Sequence, residues 1–169
     1  FGDIAASSFG GMVYYTSPDR SSLLEQLQNQ SIKAICDTDW KDLTIIRLPE
    51  IPNFTLLVGW TGQVAITDSL IQATEKKRKV ETDNAFYKEF LAKSHAIVQG
   101  LQNAWNNQDI PALQEGIRAN RALLNEFAQV MQLEIETPAL QTLCDLAEQN
   151  GACAKTSGAG GGDCGICFT

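Results

Sequence analysis

The sequence predicts an α+β fold, with helices packed on one face of a mainly antiparallel sheet. Three observations support this. Short β-prone runs, Met12–Thr16, Leu43–Leu48 and Phe54–Trp60, are set apart by polar or Pro-containing breaks. A block of long segments with helical apolar spacing occupies residues 84–150. The chain then returns through a glycine-rich loop to one more strand-like run, Cys164–Phe168.

Taken in order, Gly2-Asp3-Ile4-Ala5-Ala6-Ser7-Ser8 reads as a short helix of small residues with a carboxylate near its start, the place of an N-cap. Gly10 and Gly11 lead into the first strand. A polar turn, Thr16–Ser22, precedes a modest amphipathic stretch from Leu23 to Ile35, and Asp37–Trp40 is a second turn. Pro49 and Pro52 separate the next two strands. A helix is expected near Thr67, capped by Thr67 or Asp68 and ended by Lys76-Lys77-Arg78-Lys79, cations that suit the negative end of the helix dipole. Three further helices follow. Asn84–Asn107 carries Phe86, Phe90, Leu91, Ile97, Val98, Leu101 and Trp105 at helical spacing, and Ile110–Gln132 carries Leu113, Ile117, Leu124, Phe127 and Met131. The last is capped by Thr137, has Pro138 at its first position and is closed by Asn150-Gly151.

At 169 residues and 44% hydrophobic content, the chain can bury a core of one domain plus a remnant of another. The boundary is expected in the proline-containing connection, giving 1–50 and 51–169. A formal charge of −7 argues against nucleic acid as a partner, because that affinity rests on Lys and Arg. No apolar run reaches the roughly 18–20 residues needed to span a bilayer, and no signal peptide is expected. The five cysteines fall at irregular spacings. Cys164 and Cys167 have zinc-like spacing, but a second pair is lacking and His95 is far away in sequence, so reduced thiols in a cytoplasmic protein are expected rather than a metal site.

The densest feature is Lys155-Thr156-Ser157-Gly158-Ala159-Gly160-Gly161-Gly162-Asp163. Glycines at this density describe backbone that comes very close to something and offers N–H groups to an anion. The pattern is neither the phosphate loop nor the dinucleotide fingerprint. A flexible linker is the other reading, against which stands the strand-like Cys164-Gly165-Ile166-Cys167-Phe168 that follows.

The two ends of the chain together resemble the kinase superfamily of galactokinase, homoserine kinase, mevalonate kinase and phosphomevalonate kinase, and within it the bacterial phosphomevalonate kinase family. The resemblance rests on Gly2–Ser7 with Gly10-Gly11, and on Ser157–Ile166. Val58–Gly62, Phe90–Ser94, Asn120–Leu124 and Leu143–Glu148 follow the family's order between them. Family members are longer and carry an ATP phosphate loop that these residues lack. The chain also begins without Met and stops inside an apparent strand, so it is expected to be the C-terminal part of a longer polypeptide.

The resemblance implies the end of a domain like domain 2 of ribosomal protein S5, followed by a ferredoxin-like domain, with the active site in the cleft between them. It implies transfer of the γ-phosphate of ATP, with Mg2+, to 5-phosphomevalonate. The alternatives are another kinase of the superfamily, such as mevalonate kinase, or a non-catalytic metabolite sensor. Asp3 would be catalytic. Ser157, Gly158, Ala159, Gly160 and Gly161 would line the acceptor site, and Thr61, Gly62 and Thr67 would meet a substrate phosphate near a helix N-terminus. Ser7 alone would touch ATP, whose remaining contacts come from the missing N-terminal half. Ile66 stands where related kinases often carry Ser. Arg121 interrupts an apolar helix face and needs an anionic partner, either an acidic side chain or a substrate group. Lys155 is a candidate cation or a solvent-facing lysine. Asp163 is expected to brace the loop, and His95 to be structural.

Overall fold

The computed structural model describes residues 2–62, 85–158 and 160–169. The expected helix near Thr67, its Lys76–Lys79 end and Ala159 lie outside them. The chain forms two compact units, Phe1–Glu50 and Ile51–Thr169, each with its own sheet and core. The strands fall in two small sheets, one in each unit. Leu43–Leu48 and Phe54–Trp60 are neighbours in sequence but pair with different partners.

In the first unit, helix α1 (Gly2–Phe9) ends where the Gly10 N–H reaches the Ala6 carbonyl, and strand β1 (Val13–Thr16) follows. It pairs antiparallel with β2 (Thr44–Arg47), from Val13 opposite Arg47 to Thr16 opposite Thr44. The amphipathic stretch expected to run from Leu23 to Ile35 is two helices, α2 (Arg20–Asn29) and α3 (Ile32–Cys36). The break has a local cause. Gln30 is extended, and the Ser31 hydroxyl accepts the Ala34 N–H at 3.3 Å, starting a new helix. The first helix also begins earlier than Leu23, because Asp19 accepts from the N–H groups of Ser21 and Ser22.

The second unit opens on strand β3 (Leu56–Trp60), and its described helices are α4 (Ala85–Asn106), α5 (Ile110–Met131) and α6 (Pro138–Gln149). Asp109 caps α5 and Thr137 caps α6, each with a proline in the first turn. The chain ends in β4 (Cys153–Thr156) and β5 (Cys164–Phe168). Strand β4 was not expected: its run Cys-Ala-Lys-Thr is short and partly polar, and its strand character comes from pairing with β5. The sheet order is β3-β5-β4, both pairings antiparallel, so Cys164–Phe168 is the central strand.

Helix α5 packs on α4 and β4, and α6 packs on β4 and β5. One core cluster joins Phe127, Ala128, Met131 and Ile135, with Phe86, Tyr87 and Phe90 against it; the Phe90 and Phe127 rings lie 4.3 Å apart. A second joins Ile51, Ala104 and Leu113. Beside it Phe54 stacks on Phe168 at 5.1 Å, tying the end of the central strand to the start of the unit. Leu91 and Val98, read as part of the α4 apolar face, are exposed, and on α5 the buried position is Leu123 rather than Leu124.

Candidate functional site

The glycine-rich segment is the tip of the β4–β5 hairpin. Thr156 pairs opposite Gly165, and the Ser157 N–H donates to the Cys164 carbonyl at 3.0 Å, so the loop leaves the sheet at a defined point. The central strand brings Thr61 to the same place. With Trp60 opposite Cys164, the Thr61 N–H and the Thr61 hydroxyl both donate to the Asp163 carbonyl, each at 2.8 Å. Two segments separated by about a hundred residues thus meet, and Asp163 braces the loop through its backbone, in the left-handed region at φ 61°.

The close approach that the glycines announce is partly to the protein itself. Gly160, Gly161 and Gly162 all have positive φ, and the Gly161 N–H donates to the Ile135 carbonyl at 2.8 Å. A Cβ on Gly160 would fall far inside contact with that carbonyl oxygen and 2.6 Å from the Ile135 Cγ2. Gly160 is buried, whereas Ser157 and Gly158 are exposed, and a Cβ on Gly158 would meet no atom within 4 Å. The loop therefore has a seated half and an open half.

Arg121 finds its anionic partners inside the chain. Its guanidinium donates through Nε to both Glu136 oxygens at 3.1 Å, and through Nη2 to Glu136 Oε1 and to Asp145 Oδ1, the latter at 2.7 Å. Asn125, one turn along α5, donates to Glu136 Oε2 at 2.7 Å. Burial pushes the Glu136 carboxyl up, but the Arg121 and Asn125 hydrogen bonds outweigh it and hold the carboxyl below the ordinary range. The Glu136 bond in turn keeps Arg121 above the usual arginine range. Glu136 carried no sequence signal of its own. Asp145 and Asn125 offered one, as polar residues beside apolar helix positions.

Lys155 is half-buried on β4, not solvent-facing, and its ammonium donates to the Thr156 carbonyl at 2.6 Å. Burial pulls it below the ordinary lysine range, and burial pushes the Cys144 thiol up to about 11. His95 is exposed on α4. Thr67 and Ala159 lie outside the described residues.

Asp3 and Ser7 belong to the first unit. Asp3 is exposed in the first turn of α1, where a negative charge suits the helix dipole. The Ile4 backbone N–H, first among several contacts, holds its carboxyl below the usual carboxylate range. The Ser7 hydroxyl donates back to the Asp3 carbonyl at 2.8 Å.

Comparison with known proteins bears on the hairpin directly. Residues 97–169, which include the whole β4–β5 hairpin, match the family model for the GHMP kinases C terminal. Over these residues the chain is similar to the C-terminal domain of the GHMP kinases. The similarity extends past this domain in both sequence and structure. The chain is 37% identical over 165 residues to a phosphomevalonate kinase from a Streptomyces strain, covering 98% of this chain and 44% of that protein. A Listeria innocua protein of known crystal structure superposes with a TM-score of 0.93 at 34% identity, over 99% of this chain and 46% of that one. The Streptococcus pneumoniae phosphomevalonate kinase, solved with phosphomevalonate and AMPPNP, superposes at 0.82 with 28% identity, over 99% and 47%. The chain thus spans less than half the length of the relatives it matches.

Proposed function

We propose that the chain is the C-terminal part of a phosphomevalonate kinase, which moves the γ-phosphate of ATP to 5-phosphomevalonate and yields 5-diphosphomevalonate. The observation that carries this reading is the hairpin tip. The segment of strongest family resemblance, Ser157–Ile166, has an open half at Ser157-Gly158, and Thr61 is bound to its far end. The 37% identity to a named phosphomevalonate kinase supports the choice of acceptor. In this reading the first unit is the end of a domain like domain 2 of ribosomal protein S5, and the second is ferredoxin-like. The rest of the parent covers the apolar cavity of about 580 Å³ that Ile4, Phe9, Leu27, Ile32 and Trp40 help to line in the first unit.

Bound ATP supplies the phosphoryl group, and most of its contacts belong to the N-terminal half of the parent. Among the described residues no group of three or more His, Cys, Asp or Glu is placed to hold a metal ion. These residues do not fit a protein-built magnesium cage, and Mg2+ would arrive on the phosphates. Asp3 is ionised at neutral pH, its pKa held low. A phosphomonoester acceptor, with a second pKa near 6, needs little proton removal there. Asp3 accordingly orients groups rather than acting as a strong base, and Ser157, Gly158, Thr61 and Gly62 receive the acceptor. Gly160 and Gly161 hold the loop. Arg121, engaged with Glu136, is left out of the substrate contacts.

The test is ADP release by the intact parent offered phosphomevalonate, mevalonate or a sugar. Turnover confined to phosphomevalonate is expected, and the isolated 1–169 chain is expected to show none. Turnover with mevalonate alone would reassign the acceptor, and nucleotide binding without turnover on any acceptor would favour a sensor.

A further inference from the structure

The connection between α5 and α6 is held at two successive residues from three directions. The Ile135 side chain is buried against Phe127, Ala128 and Met131. Its carbonyl accepts the Gly161 N–H, and its bulk leaves Gly160 no room for a side chain. The next residue, Glu136, has only 6% of its side chain exposed, and its carboxylate is gripped by Arg121 and Asn125 of α5. Arg121 also reaches Asp145, so the same guanidinium links α5, the connection and α6.

A buried ion pair is weak support for stability alone, since apolar side chains of similar volume often serve as well. A fork-shaped guanidinium does fix direction, because two parallel bonds define where the carboxylate stands. A cavity of about 360 Å³ lined by Arg121, Asn125, Gln129, Ile135 and Glu136 adjoins the pair. Without the fork, Glu136 has space to move, and Ile135 moves with it.

We infer that the Arg121–Glu136 pair is the positioning element of the Ser157–Gly162 loop. It sets the Ile135 carbonyl, the carbonyl sets Gly161, and Gly161 sets the open half of the loop. The catalytic consequence rests on the proposed phosphoryl transfer. The positional one rests on the geometry alone.

The experiment uses the intact parent carrying Arg121→Lys or Glu136→Gln, with hydrogen–deuterium exchange of the 157–163 segment and steady-state kinetics measured together. Exchange in that segment is expected to rise well above that of β3 and α4. The kcat should fall by about 10–100-fold, the size expected of a loop displaced by about 1 Å, while KM for ATP stays within about twofold. A pair serving only stability would lower the thermal midpoint and leave loop exchange and kcat of the folded enzyme unchanged. That result overturns the inference. If both variants fail to fold, Asn125→Ala, which removes one hydrogen bond to Glu136, should show a smaller rise in loop exchange; no rise overturns the inference. If the wild-type parent transfers no phosphoryl group, the functional reading fails. The exchange comparison still decides the positional one.

Discussion

Gly160 and Gly158 stand two residues apart in one loop and answer to different constraints. Gly160 combines φ +83° with the Ile135 carbonyl where a side chain would go, and Gly158 has open space. Gly160→Ala is expected to cost about 2–5 kcal/mol, adding left-handed strain to overpacking. Gly158→Ala should change stability by no more than about 0.5 kcal/mol, as is usual at open surface positions, yet lower turnover of the parent. Urea unfolding of both variants checks this, and equal losses would show that the Ile135 seat has no energetic role. The sequence pointed to a close approach at these glycines. It could not name Ile135, because nothing local links residues 135 and 160.

At the scale of elements, the sheet and α6 meet through a device with no sequence signature. Gly59 and Gly165 are cross-strand partners, and Leu143 of α6 fills the space above both. A Cβ on Gly165 would lie 2.7 Å from Leu143 Cδ2, and one on Gly59 would lie 3.3 Å from its Cγ and nearer still to Cδ1. Gly59→Ala alone should destabilise by about 1–3 kcal/mol, the usual range for overpacking. In a Leu143→Ala background the same change should cost much less, and the double-mutant cycle measures the difference. Strictly additive losses would mean that the packing relaxes elsewhere. The three described helices of this unit were legible because 3.6-residue periodicity, N-caps and Pro138 are local signals. Strand β4 was not, since four residues with one lysine become a strand only when β5 offers a ladder.

For the molecule as a whole, each unit carries its own buried residues: Ala5, Ile35 and Leu48 in the first, and the Phe127 and Leu113 clusters in the second. The first is thinly packed, with Ile4, Phe9, Leu24 and Ile32 exposed, which agrees with the proposal that more of the parent covers it. Acid should act on the second unit through Glu136. Its folded pKa lies below the ordinary 4.5, so the pair's stabilisation is complete above that value and is lost as pH falls through the lower folded one. Unfolding free energy of this unit should therefore decline as pH drops below about 4.5. Glu136→Gln should flatten that part of the profile, and a profile as steep as wild type would shift the acid sensitivity to other carboxylates. Among the described residues no helix is long and apolar enough to cross a membrane.

By itself the sequence determined the α+β class, the helices between residues 85 and 150, the glycine-rich loop as the candidate site, and the family resemblance. These are properties of short segments, carried by periodicity, capping residues and consecutive motifs. Tertiary structure alone decided which strands pair and in what register, and that Thr61 is bound to Asp163. It also decided that Arg121 faces Glu136 and Asp145, and that Gly160 is pressed against Ile135. Each of these is a contact between residues far apart in sequence, and complementary shape and charge select such contacts only once the chain has closed its loops.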